Sequence, residues 1–263
     1  MTELPNLPIL DFDPTVPAII EPSVVIPRAD VPHHLVLCFF QEVIDALVAT
    51  HDAKIVHTLR SEVREFPMYE ISFKGQRLAF MHPGVGAPLS AGLMEEAIAM
   101  GCGAILACGG CGVLDRNLAV GHLLLPIAAV RDEGTSYHYL PPAPEVQANP
   151  VALSAIENVL EKMAVPYLKT KTWTTDAFYR ETPARVARYK AAGCLTVEME
   201  AAALMAVAQF RGVTFGQILY GGDTVIEGAW DRREWHTRTE IRENLFWLAA
   251  EACLNLPDRS VNA

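Results

Sequence analysis

Short runs without a single charge, set between stretches of helical spacing, constrain this chain more than any other feature. Ala104–Cys108 is apolar at every position, Leu123–Val130 interrupts its apolar residues only with a proline, and Val213–Tyr220 holds no charge. A strand with one wet face alternates polar and apolar residues, whereas a strand covered on both faces has no need to. Helical spacing appears at Gln41–Val48, Ala87–Met100, Val151–Met163, Thr182–Ala192, Glu200–Arg211 and Arg232–Cys253. Met68–Phe73, the turn Lys74-Gly75 and Arg77–Met81 read as a β-hairpin, with Ser23–Ile26 and Thr196–Glu198 as further short strands. Strands alternating with helices predict an α/β fold around a covered, mostly parallel sheet. At 263 residues the chain can bury one substantial core. The expected layout is a proline-rich arm at 1–22 followed by a single domain at 23–263.

Charge narrows the partners. With 21 Lys and Arg against 31 Asp and Glu the net charge is −10, which repels nucleic-acid backbones and acidic membranes. No apolar run reaches membrane-spanning length and the N-terminus lacks a leader pattern, so a soluble, cytoplasmic protein is expected. Cys108 and Cys111 have the C-x-x-C spacing of a redox or half-zinc site, yet no second pair or nearby histidine completes a metal set. The six cysteines read as reduced and buried, and no metal is expected.

Ligands in such folds sit beyond the carboxyl ends of the strands. Four loops are placed there by the pattern: Gly84-Val-Gly86-Ala-Pro88, Gly109-Gly110-Cys111-Gly112, Trp173–Arg180 and Gly221-Gly222-Asp223-Thr224. Paired glycines before a helix can cradle an anion or simply make a tight turn. Asp223 can reach a ligand or cap the segment that follows. Val197-Glu198-Met199-Glu200 places two carboxylates where a strand-like run meets an alanine-rich helix. An ionised glutamate is acceptor-only, which suits paired sugar hydroxyls, while the plainer reading is two acids favouring the positive end of a helix dipole.

In combination and in order, Gly-Val-Gly-Ala-Pro, the apolar strand into Gly-Gly-Cys-Gly, and Val-Glu-Met-Glu-Ala resemble the nucleoside phosphorylase superfamily. Arg64-Glu65-Phe66, Arg131–Ser136 and Thr175–Tyr179 carry the likeness further, from about Ser23 to the C-terminus. The resemblance implies a three-layer α/β sandwich with a central mixed, mostly parallel sheet. It also implies assembly as a homo-oligomer (trimer, hexamer or dimer). Nucleoside and phosphate are the implied partners, with phosphate as co-substrate and no cofactor. The implied reaction is cleavage of an N-glycosidic bond by phosphate, giving free base and ribose 1-phosphate, as in purine salvage. By the same likeness Glu200 and Met199 hold the ribose, Phe178 stacks on the base and Glu198 reaches the base. Asp223 shares a proton with the base, Arg64 reaches phosphate from the neighbouring subunit, and Arg28 and Gly110 bind phosphate.

Departures matter as much. Uridine-cleaving members carry glutamine and arginine where this chain has Thr182 and Ala184, so a purine-type base is expected. Phosphorylases place an arginine and a Ser or Thr where Ala107 and Gly110 stand, and the usual Pro-Gly-Asp-Pro-x-Arg loop is matched to Pro27–Pro32. Losing a bidentate arginine removes two charge-assisted hydrogen bonds. Arg28 and Arg64 are expected to compensate. The alternative is hydrolysis, with Asp30, His33 or His34 as candidate bases, and a third reading is a non-catalytic nucleoside-binding or storage protein. Arg131 is either a ligand contact or an internal ion pair with Asp132 or Glu133. Arg232 and Arg233 are candidate helpers, and Trp230 and Trp235 are expected to pack at the start of the last helix.

Overall fold

A computed structural model describes residues 7–226 and 229–257. In chain order the elements begin with α1 (Pro22–Val25), β1 (His34–Cys38), α2 (Gln41–Thr50) and β2 (Lys54–Arg60). β3 (Glu65–Phe73), β4 (Gln76–Met81), α3 (Ala87–Met100), β5 (Ala104–Val113) and β6 (Leu123–Asp132) follow. Next come β7 (Glu145–Gln147), α4 (Pro150–Lys162), β8 (Tyr167–Thr175), α5 (Pro183–Ala191) and β9 (Cys194–Glu198). The chain ends with α6 (Ala201–Arg211), β10 (Thr214–Ile226), β11 (Ala229–Asp231) and α7 (Thr239–Leu254).

All strands join one mixed sheet, with β1 parallel to both β4 and β5, and β10 parallel to β5. The sheet also closes on itself. β10 pairs with β6, β6 with β8, β8 with β9, and β9 with β5, which returns to β10. Alternate residues on the covered strands feed two separate cores. Val36, Cys38, Leu106 and Cys108 face α2, α4 and α7, while Leu35, Leu37, Ile105 and Ala107 face α3 and α6. That is why these runs are apolar throughout: each side chain has a helix layer to meet. The three-layer sandwich is therefore present. Helix ends follow local chemistry. The Asn149 side chain accepts from Val151 and Ala152 N–H ahead of α4, with Pro150 in its first turn, and left-handed Gly212 ends α6.

Several expectations are corrected. Ser23–Ile26 is no strand: Pro22 starts the short helix α1, with Val24 and Val25 exposed. Gly109–Gly112 and Gly221–Thr224 are not loops but the continuations of β5 and β10, paired Tyr220 to Gly110 and Gly221 to Cys111. Closure of the sheet demands small residues there: a Cβ on Gly112 would lie 2.9 Å from Val197. Trp173–Thr175 belongs to β8, a strand the pattern missed along with β1 and β2. α7 begins at Thr239 rather than Arg232, because Arg233 and Glu234 take positive φ in the turn after β11. Of the expected arm, residues 1–6 lie outside the described residues. The rest lies over α3 and α6, pinned where Glu21 and Glu95 both accept from the Arg211 guanidinium.

Candidate active site

β9 delivers Val197-Glu198-Met199-Glu200 to the N-terminus of α6, and the two glutamates diverge. Glu198 Oε1 accepts from Thr174 Oγ1 (2.6 Å) and Thr172 Oγ1 (3.3 Å), and its Oε2 accepts from the N–H groups of Glu200 (2.7 Å) and Ala201 (2.6 Å). Both oxygens are therefore engaged in starting α6 and tying it to β8. Burial raises its pKa, against the pull of these hydrogen bonds. The expectation that Glu198 reaches the base is corrected on this geometry. Glu200 points the other way. Its Oε1 accepts from Gly86 N–H (2.6 Å), fastening the glycine loop before α3 to the start of α6. Only 6% of Glu200 is exposed, and burial first, then the Glu198 charge, pushes its pKa up to about 8. Met199 is half-buried between the two.

The floor beside them is Gly109–Gly112. A Cβ on Gly109 would meet Phe39 at 3.2 Å, one on Gly110 would meet the Tyr220 ring at 3.2 Å, and one on Gly112 would lie 3.6 Å from Asp223 Oδ1. Burial raises the Cys111 thiol well above its ordinary range, followed by the charges of Glu198 and Asp223, so the two carboxylates flank this run. Asp223 Oδ2 accepts from the Trp230 indole N–H (2.7 Å). Trp230 therefore sits on β11 over the site, 64% exposed, and not in the packing of the last helix. Trp235 does precede α7, and its carbonyl accepts from the Tyr220 hydroxyl at 3.0 Å. Arg233 clamps backbone, donating to the carbonyls of Leu118, Gly222 and Asp223, while Arg232 lies beside His236. Phe178 is half-exposed on a 3-10 turn against Tyr179, ring centroids 4.1 Å apart. Glu181, overlooked in the sequence, ends this turn. Burial, then the Asp223 charge, pushes its carboxyl to about 7, against the pull of Arg185.

Within one chain Arg28 and Arg64 lie at opposite ends of the sheet. β1 ends at Cys38, so the loop beyond its carboxyl end is Phe39-Phe40, with no charge to offer an anion. Arg28 lies at the opposite end of the sheet. Its neighbour Ala29 donates to the carbonyl of Met100, the last residue of α3, about 20 Å along that helix from the glycine loop. Asp30, paired with Arg77, and His33, whose carbonyl accepts from Gly103 and Ala104, share that far end, as does His34 beside Leu256. Ala107 is sealed into the core facing α3 and α6. Arg64 is at the carboxyl end, donating to Gln41 Oε1 (3.1 Å) with its guanidinium over Phe66. Nearby His82 accepts from Gly84 N–H at 3.0 Å, and burial and then Arg64 push it down to about 4, so it is neutral. Among the described residues Arg131 makes no ion pair with Asp132 or Glu133. Its donors go to Ser136 Oγ and the carbonyls of Leu140 and Pro141, which folds its own loop inward. A cleft of about 650 Å³ between the arm and Glu95, Tyr139 and Arg211 holds none of the expected site residues. Among the described residues no cluster of His, Cys, Asp and Glu could hold a metal ion, and no helix is long and apolar enough to cross a membrane.

A buried glutamate, a run of glycines and a second carboxylate beside an exposed tryptophan meet at the carboxyl ends of the strands of an α/β protein. The chain matches the phosphorylase superfamily over residues 33–252 and belongs to it. It is 30% identical over 174 residues to a guanosine phosphorylase of Halorubrum lacusprofundi, covering 65% of this chain and 70% of that one. Identity to a purine nucleoside phosphorylase of Plasmodium vivax is 27% over 201 residues, 73% and 80% of the two chains. The fold matches purine nucleoside phosphorylase from Toxoplasma gondii with a TM-score of 0.73 at 21% identity, over 86% and 92% of the chains. It also matches AMP nucleosidase from Bacteroides thetaiotaomicron with a TM-score of 0.67 at 24% identity, over 85% and 87%.

Proposed function

We propose that this protein cleaves the N-glycosidic bond of a purine-type nucleoside. The observation that carries this reading is Glu200: a buried carboxylate with one oxygen on Gly86 N–H, beside a glycine floor whose far side bears Asp223. Cleavage builds positive charge on the ribosyl ring and negative charge on the base. Glu200 answers the first by gripping hydroxyls next to the reacting carbon, with Met199 beneath the sugar. Asp223 answers the second, beside Phe178 as the stacking surface. No cofactor is needed for this chemistry. Assembly into a homo-oligomer goes with it, as the resemblance to this family implies.

Phosphate is the acceptor that the phosphorylase relatives and Arg64 support, giving ribose 1-phosphate. A specific observation favours water instead. Phe39-Phe40 and Ala107 leave Arg64 as the single cation among the expected phosphate ligands at this end of the sheet, where a dianion is best held by several charge-assisted bonds. Chromatography of inosine, guanosine and adenosine reactions decides between them. Base release that needs phosphate is the expected result; equal release without it assigns hydrolysis. Inertness towards the whole panel would overturn the proposed cleavage.

A further inference from the structure

We infer that Trp230 is the positioning residue of the base end. Its indole N–H holds one oxygen of Asp223, so that the other is presented over the glycine floor to the departing base. This rests on the nucleoside-cleaving reading above, and Trp230 is a side chain that reading does not use.

Strand register brings the two side chains together. β11 runs antiparallel to β10, with Trp230 opposite Val225 and Asp231 opposite Thr224. Residues two apart on a strand share a face, so Asp223 lies on the same face as Val225. Trp230 then stands diagonally across from Asp223, a separation that an aromatic side chain can span. The floor shows which face this is. A Cβ on Gly112 would lie 3.1 Å from Val225 Cγ2 and 3.6 Å from Asp223 Oδ1. The other oxygen, Oδ2, accepts from the Trp230 indole N–H at 2.7 Å.

The same hairpin holds the backbone of Asp223. Arg233, in the turn after β11, donates to the carbonyls of Gly222 and Asp223, and its own N–H donates to Asp231 Oδ1 at 3.0 Å. Its guanidinium is thus directed at carbonyls, and among the described residues the donor to the Asp223 carboxylate is the indole. That has a chemical consequence. A guanidinium can take both oxygens in a bidentate fork, whereas an indole has one N–H and takes one. Oδ1 is left to meet a ring nitrogen of the base. Core packing does not hold Trp230 in place, since it is 64% exposed on a strand whose three residues are all exposed. Without the indole bond the carboxylate is free to turn about Cβ–Cγ, and a misplacement of about 1 Å can cost on the order of 100-fold in rate.

Trp230→Phe keeps an aromatic ring and removes the donor. It should lower kcat on inosine, guanosine and adenosine about ten-fold, with KM held within about three-fold. Trp230→His restores a ring N–H and should recover most of that loss at about pH 8, where imidazole is neutral. Wild-type kcat in W230F, or W230H no faster than W230F, would overturn the inference. Failure of the nucleoside reading shows separately, as inertness of the wild type towards all three nucleosides. Fluorine NMR of protein labelled with 5-fluorotryptophan then decides the pairing without turnover. Of the four tryptophans Trp230 is the exposed one, so its line is the one that shifts most between light and heavy water. Asp223→Ala should displace that line; an unmoved line overturns the pairing. The same measurement decides if circular dichroism shows W230F unfolded.

Discussion

The proposed sugar end and the proposed anion end of the site lie at the carboxyl ends of the strands of one sheet and are built in opposite ways. At the sugar end, Glu198 is held by four donors from β8 and α6, and Glu200 is fixed to the glycine loop of α3, so three elements meet through two carboxylates. At the anion end, the loop after β1 is a pair of phenylalanines, Phe39 lies on the floor, and the nearest expected cation donates to a glutamine. The lesson is about which demand the fold serves first. Neighbouring polar groups at the sugar end complete one another, and an orphaned carboxylate there would be costly. Replacing charge by aromatic surface at the anion end leaves nothing unsatisfied, so that end is free to change.

The contrast can be broken from either side, starting with the largest expected effect. Glu200→Ala removes the acceptor that faces the sugar and should lower turnover on the order of 100–1,000-fold, measured as base release. Arg64→Ala separates the two acceptor readings. With phosphate as acceptor it should raise the KM for phosphate by about 10- to 100-fold, the loss of one or two charged hydrogen bonds. Under hydrolysis the rate should stay within about two-fold.

Thr174→Val tests the internal bracing of the sugar end. It removes the donor to Glu198 and the acceptor for Ala202 N–H, and about 1–3 kcal/mol of stability should go with them. The melting temperature should fall roughly 2–4 °C for each kcal/mol. Glu200→Gln tests the same end through pH. Because the fold raises the pKa of Glu200 from 4.5 to about 8, the folded state binds the proton more tightly than the unfolded chain. The stability that this proton provides is complete below pH 4.5 and is lost as pH rises through 8. E200Q keeps an acceptor for Gly86 and lacks that loss, so its melting temperature should gain on wild type between pH 5 and pH 9. A constant difference across that range would exclude the linkage. The smallest effect is expected at Arg28→Ala, which should leave turnover unchanged because Arg28 lies at the far end of the sheet.

The layers were legible because periodicity reports burial. Ala104–Cys108 has no polar residue since both of its faces meet helices, and that pattern can be read without coordinates. The extent of the strands was not legible, because Gly109–Gly112 has the composition of a loop and is held extended only by ring closure. Tertiary pairing decides there, against local preference. In the site, Glu200 could be read from its motif, whereas the opposite role of Glu198 depends on Thr172 and Thr174, hydroxyls on a strand that the pattern missed. Arg28 was misplaced for a related reason. Ser23–Ile26 mimics a strand, so Pro27–Pro32 reads as the loop at a strand's carboxyl end, whereas it precedes β1. Glu181 carried no signal, since its raised pKa comes first from burial and then from the charge of Asp223, forty-two positions away in sequence.

Ring closure also sets where solvent can reach. β5 is paired along one side with β10, and along the other with β1 as far as Cys108 and with β9 from Gly112, so Gly109–Cys111 is held by β10 alone. Backbone amides bonded in these ladders can exchange their hydrogens for deuterium only when the ring itself parts, an event close to global unfolding. The short β10–β11 hairpin and the aromatic turn lie outside the ring and should label far sooner. The ring is thereby expected to hold the shape of the glycine floor from one turnover to the next, while its unpaired side and the segments outside it are left to move.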